Sequence, residues 1–137
     1  MRRTIVAIAV VTVLAAAAVI AVRTRTDRLG DLPYFPRATR VGSTTFAGES
    51  FGFPQAAWQQ VELRSQASFE QVRDFYATLT IRGWTSTFES ESPKRTGRVY
   101  LRLLADGRRR QFYVIRVEER QPSRDVSILL RHGRATQ

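Results

Sequence analysis

The sequence has no cysteine, a single histidine and a single methionine in 137 residues, and Lys94 is its one lysine. Without cysteine, neither a disulfide framework nor a thiolate metal centre can form. The lone histidine, His132, stands beside Gly133 near the end of the sequence, where a frayed tail over 133–137 is expected. An imidazole base needs a fixed neighbour to tune and orient it, and a frayed tail supplies none. Phosphate-binding loops, dinucleotide-binding glycine fingerprints and nucleophile elbows are all missing, and the eight glycines are scattered at turns. Carboxylates pair only as Glu89 with Glu91 and Glu118 with Glu119, at strand ends among Ser, Pro and Arg, away from the apolar surroundings that raise a carboxyl pKa. The sequence therefore offers no catalytic residue, no metal ligand set and no cofactor site, and it reads as a protein that is not an enzyme.

What it has in excess is positive charge: 22 Lys plus Arg stand against 12 Asp plus Glu, a net +10. Arg108, Arg109 and Arg110 form one short basic run after Asp106-Gly107, at an expected hairpin tip. There a solvated turn competes with contact to anionic lipid or nucleic-acid phosphate, and so short a run binds weakly without further contacts.

One long apolar run is present. Residues 4–22, "TIVAIAVVTVLAAAAVIAV", carry no charge over nineteen positions. As a helix they span about 28 Å, enough to cross a bilayer. Arg2 and Arg3 precede the run while Arg23, Arg25 and Arg28 follow it, so the charge balance across it nearly cancels. The short basic head before an apolar run has the layout of an export signal, which puts the domain outside the cytoplasm. Small residues at Val19 and Ala21 permit cleavage after Ala21, but the length of the run favours a retained anchor. The division that follows is an anchor or signal segment over 1–23, a tether over 24–37 broken by Pro33 and Pro36, a small domain over 38–132, and the tail.

Within the domain, "SFEQVRDFYATLTIRGW" (68–84) predicts one amphipathic helix. Phe69, Val72, Phe75, Tyr76 and Leu79 fall on one stripe, Ser68 and Gln71 form a capping box, and Gly83 can end the helix in a left-handed conformation. Runs rich in Val, Ile, Thr and aromatic residues predict strands over 40–46, 58–65, 84–89, 98–104, 111–119 and 125–131. The fold class is α+β: a mostly antiparallel sheet in the order β-β-α-β-β-β-β with one helix across a face, behind an N-terminal transmembrane helix.

The stretches "LPYFPRATRV" and "FEQVRDFYATLTIRGW", followed by a run of strands, resemble a loose class of uncharacterised bacterial domains, often membrane-anchored or lipoprotein-linked. The shared pattern is Tyr/Phe-Pro-x-Ala, then V-x-x-F-Y-x-x-L and Gly-Trp. The likeness spans roughly 32–130; it implies the fold and brings no catalytic residues, and Arg37 stands where the pattern commonly has glycine.

Strand alternation assigns Val99, Leu101, Leu103, Tyr113, Ile115, Val117, Val126, Ile128 and Leu130 to the face beneath the helix. The opposite face then carries Tyr100, Arg102, Leu104, Phe112, Val114, Arg116, Leu129 and Arg131, a mixture of rings, aliphatic groups and arginine typical of a protein contact. Tyr100, Arg102, Phe112, Val114 and Arg116 are the candidate partner-binding residues, unless the tether or the loop "GESFGFPQ", with Phe51 and Phe53, folds over them. The expected function is a membrane-anchored, extracytoplasmic, non-catalytic binding or assembly domain. Its partners would be the membrane through residues 4–22, and another envelope protein or a second copy of itself, with nucleic acid improbable. The alternative is a cytoplasm-facing basic domain that binds anionic lipid or nucleic acid.

Overall fold

The computed structural model describes residues 27–95 and 97–136, so the apolar run 4–22 lies outside the described residues. Among the described residues no helix is long and apolar enough to cross a membrane.

Among the described residues, eight strands and one helix follow in the order β1 (Arg28–Leu29), β2 (Leu32–Pro33), β3 (Thr39–Ser50), β4 (Phe53–Ser65), α1 (Phe69–Thr78), β5 (Trp84–Lys94), β6 (Gly97–Asp106), β7 (Gln111–Glu119) and β8 (Val126–Ala135). β1 and β2 pair only with each other, and the other six strands form one antiparallel sheet in the order β3-β4-β8-β7-β6-β5. The expected order β-β-α-β-β-β-β holds for the six-stranded sheet and its helix, with the short β1–β2 pair added before it. The crossover sits where β4 pairs with β8, Val61 opposite Leu130 and Leu63 opposite Ile128. β7 is apolar on both faces, Phe112 and Val114 on one, Tyr113, Ile115 and Val117 on the other, because it runs through the middle of a sheet covered on both sides. β3 and β5 are the edges, and most of their residues are exposed.

Helix α1 starts as its sequence predicts. Ser68 Oγ accepts from the Gln71 amide at 3.2 Å, and Gln71 Oε1 accepts from the Ser68 amide at 3.1 Å, which satisfies two end donors reciprocally. Phe69, Val72 and Tyr76 are buried, and Phe75 and Leu79 are half-buried on the same stripe. The helix stops at Thr78, five residues short of Gly83. The reason lies outside the segment: Arg102 on β6 donates through Nη1 to the carbonyls of Tyr76 at 2.6 Å and Leu79 at 2.8 Å, groups left free at a helix end. Gly83, at φ 84, instead shapes the turn in which the Trp84 amide reaches Ile81 O at 3.1 Å.

The stretch expected to be a tether belongs to the body from Arg28 onward. Leu29 and Leu32 are buried in the main core, and the β1–β2 turn is set by Gly30 at φ 60, tight against Tyr113 and His132. The Asp31 amide donates to Tyr113 Oη at 2.7 Å. Farther on, Tyr76 Oη accepts from the Phe35 amide at 2.9 Å and donates to Pro33 O at 3.3 Å, while Phe35 meets Phe75 edge-on at 5.3 Å. The layer over this sheet face thus has two halves: α1 lies on β6 and β7, and the N-terminal strap lies beside β8 and β4.

At the other end of the sequence, β8 continues through Ala135, so most of the expected tail is sheet. His132 is buried, and Gly133 lies flat beneath the Trp58 ring, where any Cβ would press on the ring carbons at 2.6 Å.

Candidate binding surface

Register fixes which side chains share a face, since residues directly opposite in an antiparallel pair point the same way. Arg102, Ile115 and Leu130 are aligned across β6, β7 and β8, as are Leu103, Val114 and Arg131. β7 and β8 have the expected phase and β6 has the opposite one. Tyr100, Arg102 and Leu104 lie on the helix side, and Val99, Leu101 and Leu103 lie on the second face. Both alternating sets of β6 are apolar, so burial alone does not choose between them. Two polar anchors do: Arg102 caps α1, and Tyr100 Oη donates to Glu89 at 2.8 Å.

The five candidate residues are therefore divided. Tyr100 is buried beneath the helix side, and Arg102 is engaged there. Phe112, Val114 and Arg116 share the second face.

That face has a closed half and an open half. β3 and β4 run on to a two-residue turn at Phe51-Gly52, both at positive φ (52 and 77), the geometry of the tight hairpin turns that match strand twist. The segment expected as a loop is thus the end of a long hairpin, and its tip folds over the second face. Phe53 stacks on Phe112 at 4.4 Å, Trp58 lies 6.2 Å from both Phe46 and Phe53, and Trp58 Nε1 donates to Gly48 O at 2.9 Å. Phe112 and Val114 become fully enclosed. Arg131 closes the edge of this cluster, its guanidinium 5.0 Å from the Phe46 ring centre and 5.3 Å from that of Phe51. It donates to Ser50 Oγ at 2.6 Å and Gln60 Oε1 at 2.8 Å, and desolvation, with Arg116 nearby, lowers its pKa.

Beyond Phe51 the face is open. Arg116 stands between two shallow hollows there, one of about 240 Å³ bounded by Phe51, Ser92, Lys94 and Leu101, the other of about 130 Å³ bounded by Glu62, Arg120 and Leu129. Glu118 pairs with Arg116 at 3.0 Å, leaving both groups partly exposed. Phe51 is 40% exposed at the rim, and Phe88 is 48% exposed on β5. Arginine, an exposed ring and half-buried leucines on a concave surface suit an acidic and apolar partner segment.

Larger hollows, up to about 630 Å³, lie where the strap meets β4, between Phe35, Arg37 and Arg64. Another, of about 460 Å³, is bounded by Thr45, Phe46, Trp58 and His132. No family model, curated protein or solved structure matches the chain. Its likeness to small membrane-anchored domains rests on the motif residues alone.

Several other polar residues are held in contacts within the domain. His132 Nε2 lies 3.0 Å from Gln111 Oε1, with the Tyr113 ring tilted against it and Trp84 edge-on, and burial lowers the imidazole pKa, helped by Arg134 and opposed by Asp31. Glu91 pairs with Arg73 at 3.1 Å, and Glu119 with Arg98 at 3.3 Å. Arg98 also binds Glu70 and sits over the Phe69 ring at 4.6 Å, and it holds the Glu70 carboxyl below its ordinary range. Among the described residues no three His, Cys, Asp or Glu side chains gather as a metal site would require. Arg108, Arg109 and Arg110 project from the β6–β7 turn, fully exposed, with Asp106 Oδ1 accepting from the Arg110 amide at 2.8 Å. Sequence reasoning omitted Ser92 and Lys94 from the site because their strand, β5, is longer than its Val, Ile and Thr content predicts.

Proposed function

We propose that this chain is a membrane-anchored, extracytoplasmic, non-catalytic binding or assembly domain, held by residues 4–22, whose contact surface is the open half of the second sheet face. The observation that carries the reading is Arg116 between two hollows, beside exposed Phe51, on the part of the sheet that the β3–β4 hairpin leaves uncovered. An unpaired carboxylate on a partner would compete with Glu118 for the guanidinium, while Phe51 and Leu101 would supply apolar area.

A photo-crosslinking residue at Ser92 in the full chain, expressed in its native membrane, tests the surface. A discrete heavier adduct is expected, and it should weaken strongly with Arg116→Glu. Absence of any adduct refutes the surface. Alkaline phosphatase fused after Gln137 tests the orientation in parallel: it should be active, and an inactive fusion beside a fluorescent cytoplasm-only fusion would favour the cytoplasm-facing alternative.

A further inference from the structure

The two edges of the sheet are unlike. β5 is guarded in the ways that stop strand addition: a bulge at Thr87, Glu89 and Glu91 in the strand, and Pro93 and Lys94 at its end. β3 has no charge and no proline between Val41 and Gly48, and past its bulge at Val41 the run "GSTTFAG" is regular, exposed at most positions and paired on one side only. Its pairing with β4 shifts twice, by an extra residue at Val41 on β3 and, just past Gly48, by an extra residue on β4 opposite Glu49.

We infer that β3 pairs antiparallel with β3 of a second copy, about a two-fold axis through Thr45. This deepens the assembly reading above by naming a partner, and it uses an edge separate from the Arg116 surface. Two observations select a second copy over another protein. The first is charge: Arg40 and Glu49 bracket the neutral run, both exposed and neither in an ion pair among the described residues. Pairing centred on Thr45 sets Ser43 against Ala47 of the other copy. Because Val41 is the extra residue of a bulge, the same register brings Arg40 against Glu49 of the other copy. The faces agree, since Arg40 lies opposite Leu63 and Ser43 opposite Val61 on the helix side, and alternation from Gly48 opposite Ala56 puts Glu49 there too. Any other register along the edge separates these charges.

The second observation is direction. A two-fold axis perpendicular to the sheet keeps both helix faces on one side of the joined sheet. Asp27, the first described residue, belongs to the strap on that side, its carbonyl accepting from the Tyr34 amide at 3.0 Å. The two straps would then lie on one side of the joined sheet, as two copies anchored in one bilayer require, and confinement there raises the effective concentration that a single edge pairing requires.

Because the chain has no cysteine, one introduced thiol is unique. Directly opposite residues in an antiparallel pair come within about 5.5 Å at Cα, close enough for a disulfide. With the full chain in native membranes under mild oxidation, Thr45→Cys should give a disulfide-linked dimer. Ser43→Cys alone should not, but Ser43→Cys co-expressed with Ala47→Cys should. Glu49→Arg or Arg40→Glu in the Thr45→Cys background should lower dimer yield several-fold, and both together should restore it, which separates lost pairing from lost folding. A monomer at Thr45→Cys, a yield indifferent to charge reversal, or equal crosslinking from Ser90→Cys on β5 would overturn the inference. Extraction into alkaline carbonate would refute the anchor instead, and would leave the crosslinking pattern to decide the edge.

Discussion

Arg102 is one of the candidate contact residues in the sequence, yet its role in the structure is to close a helix. Replacing it with methionine keeps much of its aliphatic stem and removes the donors to Tyr76 O and Leu79 O. α1 has no basic residue in its last turn, so no other group of the helix takes over the favourable charge at its carbonyl end. A hydrogen bond from a charged donor contributes about 1.5–3 kcal/mol net, so two would give roughly 3–6 kcal/mol. Partial exposure of the guanidinium reduces this, and the expected loss is about 2–4 kcal/mol. That is a large fraction of the ~5–15 kcal/mol available to a domain. Urea titration followed by far-ultraviolet circular dichroism should show a lowered midpoint, and amide exchange should quicken first at the C-terminal turn of α1. Arg102→Lys should fall between the two, since a single ammonium cannot present the same planar donor set. A midpoint equal to the parent's for Arg102→Met would refute both the capping role and the phase assigned to β6.

Two further outcomes follow from the C-terminal strand. Gly133→Ala forces a methyl into the Trp58 ring and should cost about 1–3 kcal/mol in a urea melt, whereas Gly107→Ala, with nothing within 4 Å, should be near neutral. Burial holds the folded imidazole of His132 below its ordinary pKa, so the unfolded chain takes up a proton that the folded one refuses. Stability should be flat above about pH 6.5 and fall as the pH drops through the window below it, and His132→Gln should flatten the pH 7.5 to 5.5 part of that profile. A parent whose stability does not change across that window would refute the burial of the neutral ring.

The sequence carried the element order because its signals were local. Ser68 and Gln71 mark a helix start within four residues, and Asp106-Gly107 marks the β6–β7 turn between two strand-forming runs. The errors arose where a distant residue decides. α1 ends early because Arg102 arrives from β6, and β6 flips because Arg102 and Tyr100 find polar partners on the helix side. The strap reads as a linker because Pro33 and Pro36 forbid regular structure, although Leu29, Leu32 and Phe35 were available for burial. His132 reads as frayed because its strand contains glycine, whose place beneath Trp58 is a tertiary fact. Phe51 and Phe53 were legible as rings able to cover the second face. The extent of that cover, closed over Phe112 and open at Arg116, depends on where a two-residue turn falls.

β8 lies between β4 and β7, so the two sheet halves made earlier in synthesis, the β3–β4 hairpin and the β5–β6–β7 meander, share no strand pairing until the last strand arrives. Val126, Ile128 and Leu130 are the wedge that joins them. A nascent chain stalled before Ser127 would expose both half-cores to chaperones and proteases. Under the extracytoplasmic placement proposed above, folding would follow passage: the domain would stay threadable until β8 is through, and lock only on the far side.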